Sequence, residues 1–157
     1  MKALISTLLI ISSLASSGQA GGIIGTLVDS LSMRDEVRIS TVTCENAYVI
    51  GLEKKDFDVI ENAQIARYII GAGPEITVIE AVTSEDADRL RSKIESNYEF
   101  AACDRADQVI IASAHGTVLI VKGKVGDTET VLSSFGSILG RGKVKIITNP
   151  AKKRGAS

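Results

Sequence analysis

The sequence is poor in aromatic side chains and in residues that usually form metal or redox sites. Its 157 residues include no tryptophan, three tyrosines, three phenylalanines, two cysteines and one histidine. Any core must therefore be built from aliphatic side chains, and a hydrophobic share of 45% is ordinary for a globular domain. The formal net charge of −1 argues against a general nucleic-acid-binding protein, because such proteins carry a strongly basic face. Length and composition together predict one domain with a real core.

The two cysteines, Cys44 and Cys103, are too far apart in the sequence to form a closely spaced zinc-binding pair. In an exported protein, two cysteines suggest one disulfide. The bridge would close a loop of about 60 residues and stabilise the fold by about 4 kcal/mol in the entropic account. The alternative is two free thiols that behave as small apolar residues. The sequence leaves both interpretations open.

His115 is the single histidine, and it lies at a predicted hairpin corner beside Gly116. Histidine titrates near neutral pH, so it can serve as an acid, a base or a ligand. A metal site here would take every other ligand from cysteine, aspartate or glutamate, and we predict none. We favour the interpretation that His115 tolerates the unusual backbone torsions of the turn.

The first twenty residues have the pattern of a secretory signal peptide. Lys2 precedes the apolar stretch from Ala3 to Ile11, and small residues follow from Ser12 to Ala20. The expected cleavage site is after Ala20, with Ala15 as a second possibility. The alternatives are an uncleaved anchor or a buried helix, although the apolar core is too short to span a bilayer of about 30 Å. No cysteine follows the small-residue region, so a lipid anchor is not indicated.

Two β-hairpins are predicted in the middle of the chain. Ile65 to Ile70 and Glu75 to Val82 are rich in β-branched residues and flank a glycine- and proline-containing run suited to a reversal. The stretch from Gln108 to Gly123 has two such runs around a corner that contains His115 and Gly116. Lys143 to Thr148 is one possible further strand.

Two amphipathic helices are predicted, one after each hairpin. The first runs from Glu85 to about Phe100 behind a capping box that begins at Thr83. The second starts near Asp127 and ends at Gly140. Their apolar stripes are Ala87, Leu90, Ile94 and Tyr98 in the first helix, and Val131, Leu132, Phe135 and Leu139 in the second.

These elements predict a two-layer α+β domain, in which an antiparallel sheet from two hairpins is covered by two helices in the order ββαββα. The domain spans residues 46–148. A linker or N-terminal helix precedes it at residues 21–45, after the signal peptide at 1–20. A basic, disordered tail follows at residues 149–157.

The run from Tyr48 to Leu139 resembles a family of small, uncharacterised bacterial proteins that are exported or lipid-anchored and carry a single domain of unknown function. The resemblance lies in the Tyr48-x-x-Gly51 lead, Asp56, and the strand around Asn62 to Tyr68. It continues through a strand that feeds the helix Ser84 to Tyr98, and then a strand pair. Two departures are the missing lipobox cysteine and His115-Gly116-Thr117 where the family often has a Gly-Asn-Tyr-like turn. The resemblance implies an envelope location typical of Gram-positive bacteria and no particular reaction, cofactor or catalytic residue.

The sequence also predicts no cofactor site. Gly71-x-Gly73 joins two strands instead of opening a helix, so it lacks the context of a dinucleotide fingerprint. Gly123-x-x-Gly126 precedes a helix but lacks the lysine and threonine that end a phosphate-binding loop. Both are interpreted as turns.

The functional hypothesis is therefore an exported binding or structural protein of the bacterial cell envelope. An envelope protein or a second copy of the chain is the expected partner, and membrane contact is expected only through the signal peptide. One alternative is a small secreted hydrolase with an unrecognised site of serine and aspartate. Another is a self-associating module that pairs exposed edge strands.

The export hypothesis predicts the mass of the protein recovered from its native cells after alkylation of free thiols. We expect a chain that starts at Gly21 and, if the disulfide has formed, carries no alkyl group. Intact-mass spectrometry measures both properties at once. A full-length chain with two alkylated thiols would contradict the signal peptide and the disulfide together.

Overall fold

The computed structural model describes residues 22–33, 35–71 and 73–153. The predicted signal peptide and the last four residues of the predicted tail lie outside these ranges. The helices, in chain order, are α1 (Gly22–Asp29), α2 (Ser84–Asn97), α3 (Val125–Leu139) and α4 (Pro150–Lys153). The strands are β1 (Val37–Thr41), β2 (Ile60–Tyr68), β3 (Glu75–Ala81), β4 (Gln108–Ala114), β5 (Thr117–Gly123) and β6 (Lys143–Thr148). Two 3-10 helices, Ala47–Ile50 and Lys54–Val59, lie between β1 and β2.

The six strands form one sheet in the order β1-β2-β3-β5-β4-β6, and every neighbouring pair is antiparallel. The α+β class and the antiparallel sheet are as predicted. The ββαββα order does not describe the whole domain, because α1 and β1 come before it and β6 and α4 come after it. Strand β1 extends the sheet beyond β2, and β6 extends it beyond β4.

The sheet is covered on both faces, so the predicted two-layer arrangement is wrong. One apolar cluster joins α2 and the 3-10 segments to the face that carries Ile79 and Ile111, which we call the α2 face. The other joins α1 and α3 to the face that carries Ile110 and Leu119, which we call the α3 face. The domain therefore has three layers, with the sheet in the middle.

The connections between strands account for the third layer. Helix α2 connects β3 to β4 and α3 connects β5 to β6, and both connections step in the same direction across the sheet. Because β3 and β5 are antiparallel, the two crossovers begin from strands that point in opposite directions. Right-handed crossovers, the nearly universal hand, must then place their helices on opposite faces.

The burial of the central strands agrees with this arrangement. All seven residues of β4 are buried, and so are the first five of β5. A strand that faces solvent on one side alternates between apolar and polar residues, whereas a strand covered on both sides is nearly continuously apolar. The runs VIIA in β4 and VLIV in β5 are of the second kind.

The two ends of the domain extend further than the sequence suggested. The range predicted as a linker or N-terminal helix contains α1, whose Ile24 and Leu27 are buried in the α3-face cluster, and also β1, which was not predicted. At the other end, Asn149 is 1% exposed, and its side-chain amide donates to the carbonyl of Ala106 at 2.8 Å. Residues 149–153 of the predicted tail thus continue the fold, because this buried amide ties them to the segment before β4.

Two glycines provide a matched test of the packing between β4 and the start of β6. A Cβ atom on Gly142 would lie 1.8 Å from the carbonyl oxygen of Ser113, while a Cβ atom on Gly126 would meet nothing within 4 Å. We expect Gly142→Ala to lower the free energy of unfolding by about 1–3 kcal/mol through overpacking. Gly126→Ala, near the start of α3, should leave stability unchanged or raise it by up to about 1 kcal/mol. Denaturant titration measures both, and equal effects would contradict the close approach of the two strands.

Candidate functional site

His115 occupies the two-residue turn between β4 and β5. Its φ is 46° and that of Gly116 is 80°, which together fit the turn type that matches the twist of a hairpin. Histidine enters this left-handed region more readily than most side chains do. The side chain is exposed. These are the torsions expected if His115 serves to form the turn. That role of His115 stays a prediction.

A shallow depression of about 380 Å³ adjoins this turn and brings a serine and an aspartate together. Ser113 Oγ donates a hydrogen bond to Asp88 Oδ1 at 2.6 Å, and Lys143 Nζ donates to Asp88 Oδ2. His115 and Arg141 also line the depression. No local sequence pattern marks this cluster, because its members come from α2, β4 and β6.

The geometry of this cluster does not activate Ser113. The Lys143 ammonium and the Ser113 hydroxyl lower the pKa of the Asp88 carboxyl, which makes it a poor base. Ser113 is 2% exposed, and no hydrogen bond among the described residues joins it to His115. The hydrogen bonds of Asp88 instead hold α2 against the turn end of β4 and against β6.

A cleft of about 250 Å³ lies at the opposite end of the same hairpin. The first 3-10 helix forms one wall, the segment after α2 forms another, and the α2 face of β3 and β5 forms the floor. The amide of Asn97 donates to the carbonyl of Gly51 at 3.4 Å, which links the first two walls. The floor includes Thr77 and Ile120, which lie directly opposite each other on β3 and β5.

Charged groups surround the polar part of this cleft. Glu75 lies opposite Lys122 across β3 and β5, and its Oε2 accepts from Arg67 Nε at 2.6 Å. Lys122 Nζ lies 3.3 Å from Asp104 Oδ2. Together with the exposed Glu99, three carboxylates and one ammonium line the cleft. The lining is therefore acidic.

Two tyrosines complete the cleft. Tyr48 stands at its edge and is 77% exposed, which is a large exposed fraction for an aromatic side chain. Tyr98 packs edge to face against Phe100, with ring centroids 5.2 Å apart. Burial, together with the negative charges of Asp104 and Glu75, raises the pKa of the Tyr98 phenol. Its hydroxyl therefore remains a hydrogen-bond donor at physiological pH.

The residues of this cleft were not singled out from the sequence. Tyr98 was assigned to the apolar stripe of a longer helix, but α2 ends at Asn97 and Tyr98 has an extended backbone. Tyr48 and Gly51 carried the family resemblance without an assigned role. No local pattern identifies the other lining residues, because Glu75 and Asp104 are distant in sequence and come together only after the sheet has formed.

The two cysteines lie in the segments that form the cleft walls. Cys44 is half-buried in the turn before the first 3-10 helix, and Cys103 is exposed between Ala101 and Asp104. Both are free thiols in the structure. The disulfide between them stays a prediction. Within residues 22–33, 35–71 and 73–153, no group of three or more His, Cys, Asp or Glu residues is placed to hold a metal ion.

Comparison with protein families, with curated proteins and with solved structures finds no match to this chain. Among its described residues, no helix has the length and apolar character needed to cross a bilayer. The function must therefore be inferred from the geometry of the chain itself.

Because the ionised Asp88 carboxylate stabilises the contacts of α2 with β4 and β6, we predict that the stability of the fold depends on pH. Its pKa is lower in the folded state than in the unfolded state, so its contribution is present above the unfolded value, about 3.9, and is lost as the pH falls through the folded value. We expect Asp88→Asn to reduce the free energy of unfolding at pH 7 by up to about 1 kcal/mol, since solvent screens this pair.

The difference between wild type and Asp88→Asn should narrow as the pH is lowered below about 4. Urea titrations at several pH values measure it. Glu129→Gln, at an exposed position of α3, is the control for removal of one negative charge. A difference that stays constant from neutral to acid pH would contradict a stabilising role for the ionised carboxylate.

Proposed function

We propose that this chain is an exported binding protein of the bacterial cell envelope, and that the cleft between the first 3-10 helix and the end of α2 is its ligand site. The observation that carries the binding role is a cleft with walls from separate segments, apolar side chains such as Ile94 and Ile120 in its lining, and an exposed aromatic ring at its edge. Binding sites for small molecules are commonly concave and mostly apolar, with a few convergent polar groups. The cleft is concave, its lining includes apolar side chains, and several polar groups converge on it.

Export and envelope location rest on the pattern of residues 1–20 and on the family resemblance. The Tyr48-x-x-Gly51 lead, which is part of that resemblance, forms one wall of the cleft. In this motif Tyr48 provides the exposed ring, and Gly51 provides the carbonyl that anchors the wall to α2. If the chain belongs to the resembled family, the motif would have the same binding role in the other members.

The charge of the lining indicates the class of ligand. Glu75 and Asp104 already contact cations of the chain, whereas Glu99 is exposed and forms no ion pair within the described residues. An ammonium group attracted by these carboxylates would also lie near Tyr48 and Tyr98, because both line the cleft, and aromatic rings can provide cation–π contacts. The ligand we propose is a small organic amine with a short apolar segment.

The candidate residues for the hydrolase alternative are Ser113 and Asp88, which are joined by a hydrogen bond. Hydrolysis is the less favoured function because the hydroxyl is buried and the carboxylate is held ionised by Lys143. Partnership with an envelope protein remains part of the proposal, and association with a second copy remains the alternative.

The ligand proposal predicts selective binding of amines. Cadaverine should bind at least about tenfold more tightly than the pentanediol of equal chain length, a difference of about 1.4 kcal/mol. Replacing Glu99 and Asp104 together by Gln and Asn should remove this preference, because the two carboxylates provide the attraction for the ammonium group. Glu129→Gln, on the opposite helix layer, should retain it.

Isothermal titration or chemical-shift perturbation measures these affinities, and circular dichroism of each variant checks that the fold is intact. Equal binding of cadaverine and pentanediol, or an unchanged preference in the double variant, would rule out the proposed ligand class. The export hypothesis is tested separately by the intact mass, so failure of one test leaves the other standing.

A further inference from the structure

Strand β6 is the outer strand at one end of the sheet. It pairs with β4 on one side, and no described strand lies on its other side. Alternate backbone N–H and C=O groups along its outer side are therefore available for pairing. Its six residues, Lys143–Thr148, extend about 20 Å, enough to accept a short extended segment.

An apolar groove adjoins this edge on the α3 face. It has a volume of about 500 Å³ and lies between α3 and β6. Leu132 and Phe135 line one side, and Val144, which is 47% exposed, lines the other. Ile146, the next β6 residue on the same face, is 48% exposed. Helix α3 therefore leaves this part of the sheet uncovered.

The α2 face of the same strand is cationic. Lys143 and Lys145 alternate with Val144 and Ile146, so they point to the α2 face. They contact Asp88 and Glu95, but their side chains are still 64% and 51% exposed. An ammonium group has three donors, so each lysine can take a second carboxylate. The exposed Arg141 adds another positive charge near the start of the strand.

These charges argue against a second copy of the chain as the occupant. Antiparallel pairing of β6 with another β6, with both grooves on one face, would place lysine beside lysine. Pairing with β1, the strand at the other end of the sheet, would bring Arg38 toward the same lysines, since Arg38 also lies on the α2 face. Like charges across adjacent strands are destabilising.

We propose that β6 binds an extended segment of another protein in which acidic and aliphatic residues alternate. The segment adds to the sheet as a further antiparallel strand. Its aliphatic side chains pack over Val144 and Ile146 and reach the groove beside Phe135, and its carboxylates meet Lys143 and Lys145 on the other face. This is recognition by strand addition, in which backbone hydrogen bonds provide affinity and alternate side chains provide specificity.

The proposal is independent of the amine site, which lies on the α2 face over the central strands β3 and β5. Two surfaces of different chemistry would allow the protein to hold a small ligand and a protein partner at the same time.

Gly136 provides a specific way to block the groove. It lies within α3 and lines the groove, and a Cβ atom there would meet nothing within 4 Å. Gly136→Leu should therefore fold and fill the space that the aliphatic side chains need. Gly126→Leu is the matched control, because this position in the same helix is equally open but lies outside the groove.

The probe is a fluorescein-labelled synthetic peptide of alternating glutamate and valine, titrated with the full chain and followed by fluorescence anisotropy. A second peptide carries lysine in place of glutamate. A third keeps the glutamates but is N-methylated at alternate residues, so that the edge that would face β6 cannot donate hydrogen bonds.

We expect the glutamate peptide to bind at least about tenfold more tightly than the other two. Its affinity should fall at least about tenfold in Gly136→Leu and stay unchanged in Gly126→Leu. Equal binding of the glutamate and lysine peptides, an unaffected Gly136→Leu variant, or no binding of any peptide would overturn the proposal. A concentration-dependent dimer in light scattering that Gly136→Leu abolishes would also overturn it, by identifying a second copy as the occupant.

Discussion

The constraint on which the rest of this structure depends is the burial of the β4–β5 hairpin on both faces. A strand pair with apolar side chains on each side cannot be stabilised by one layer of helices, because half of those side chains would remain in water. Helices α1 and α3 cover the apolar side chains on one face and α2 covers those on the other, so both sets are shielded from water. Burial of the hairpin also requires that its outer backbone N–H and C=O groups be paired, and β3 and β6 provide the partners on its two sides.

Much of the framework could be predicted from local patterns. Five of the six described strands and both long helices follow from β-branched runs, helical spacing and turn residues, and Gly140 marks the end of α3 as expected. The third layer does not follow from these patterns, because a hairpin with one apolar face needs helices on that face alone. The side chains of β3 show that both faces are covered, since Ile76 and Val78 are buried on one face while Thr77 and Ile79 are buried on the other.

The functional surfaces could not be predicted in the same way, because they are made by residues that are distant in sequence. Lys122 is an ordinary charged residue at the end of a strand until the sheet places it opposite Glu75 and near Asp104. Strand β1 was missed for a related reason. Its sequence VRIST alternates apolar and polar residues over only five positions, and four of the five are exposed, so the pattern is too short to distinguish it from a loop. An edge or a cleft is defined by the surface that the other elements leave exposed, and a local sequence pattern does not show which surface that is.

The order of the strands also has a consequence for how the domain opens. The centre of the sheet is built from the middle of the chain, and its two outer strands, β1 and β6, come from near the ends. Each outer strand has one neighbour in the sheet and is mostly exposed. Their amides should therefore exchange with solvent through partial opening, while those of β4 and β5 exchange only when the whole domain unfolds. A partner bound along β6 would slow exchange in that strand first, so the least protected part of the sheet would become the part that reports occupancy.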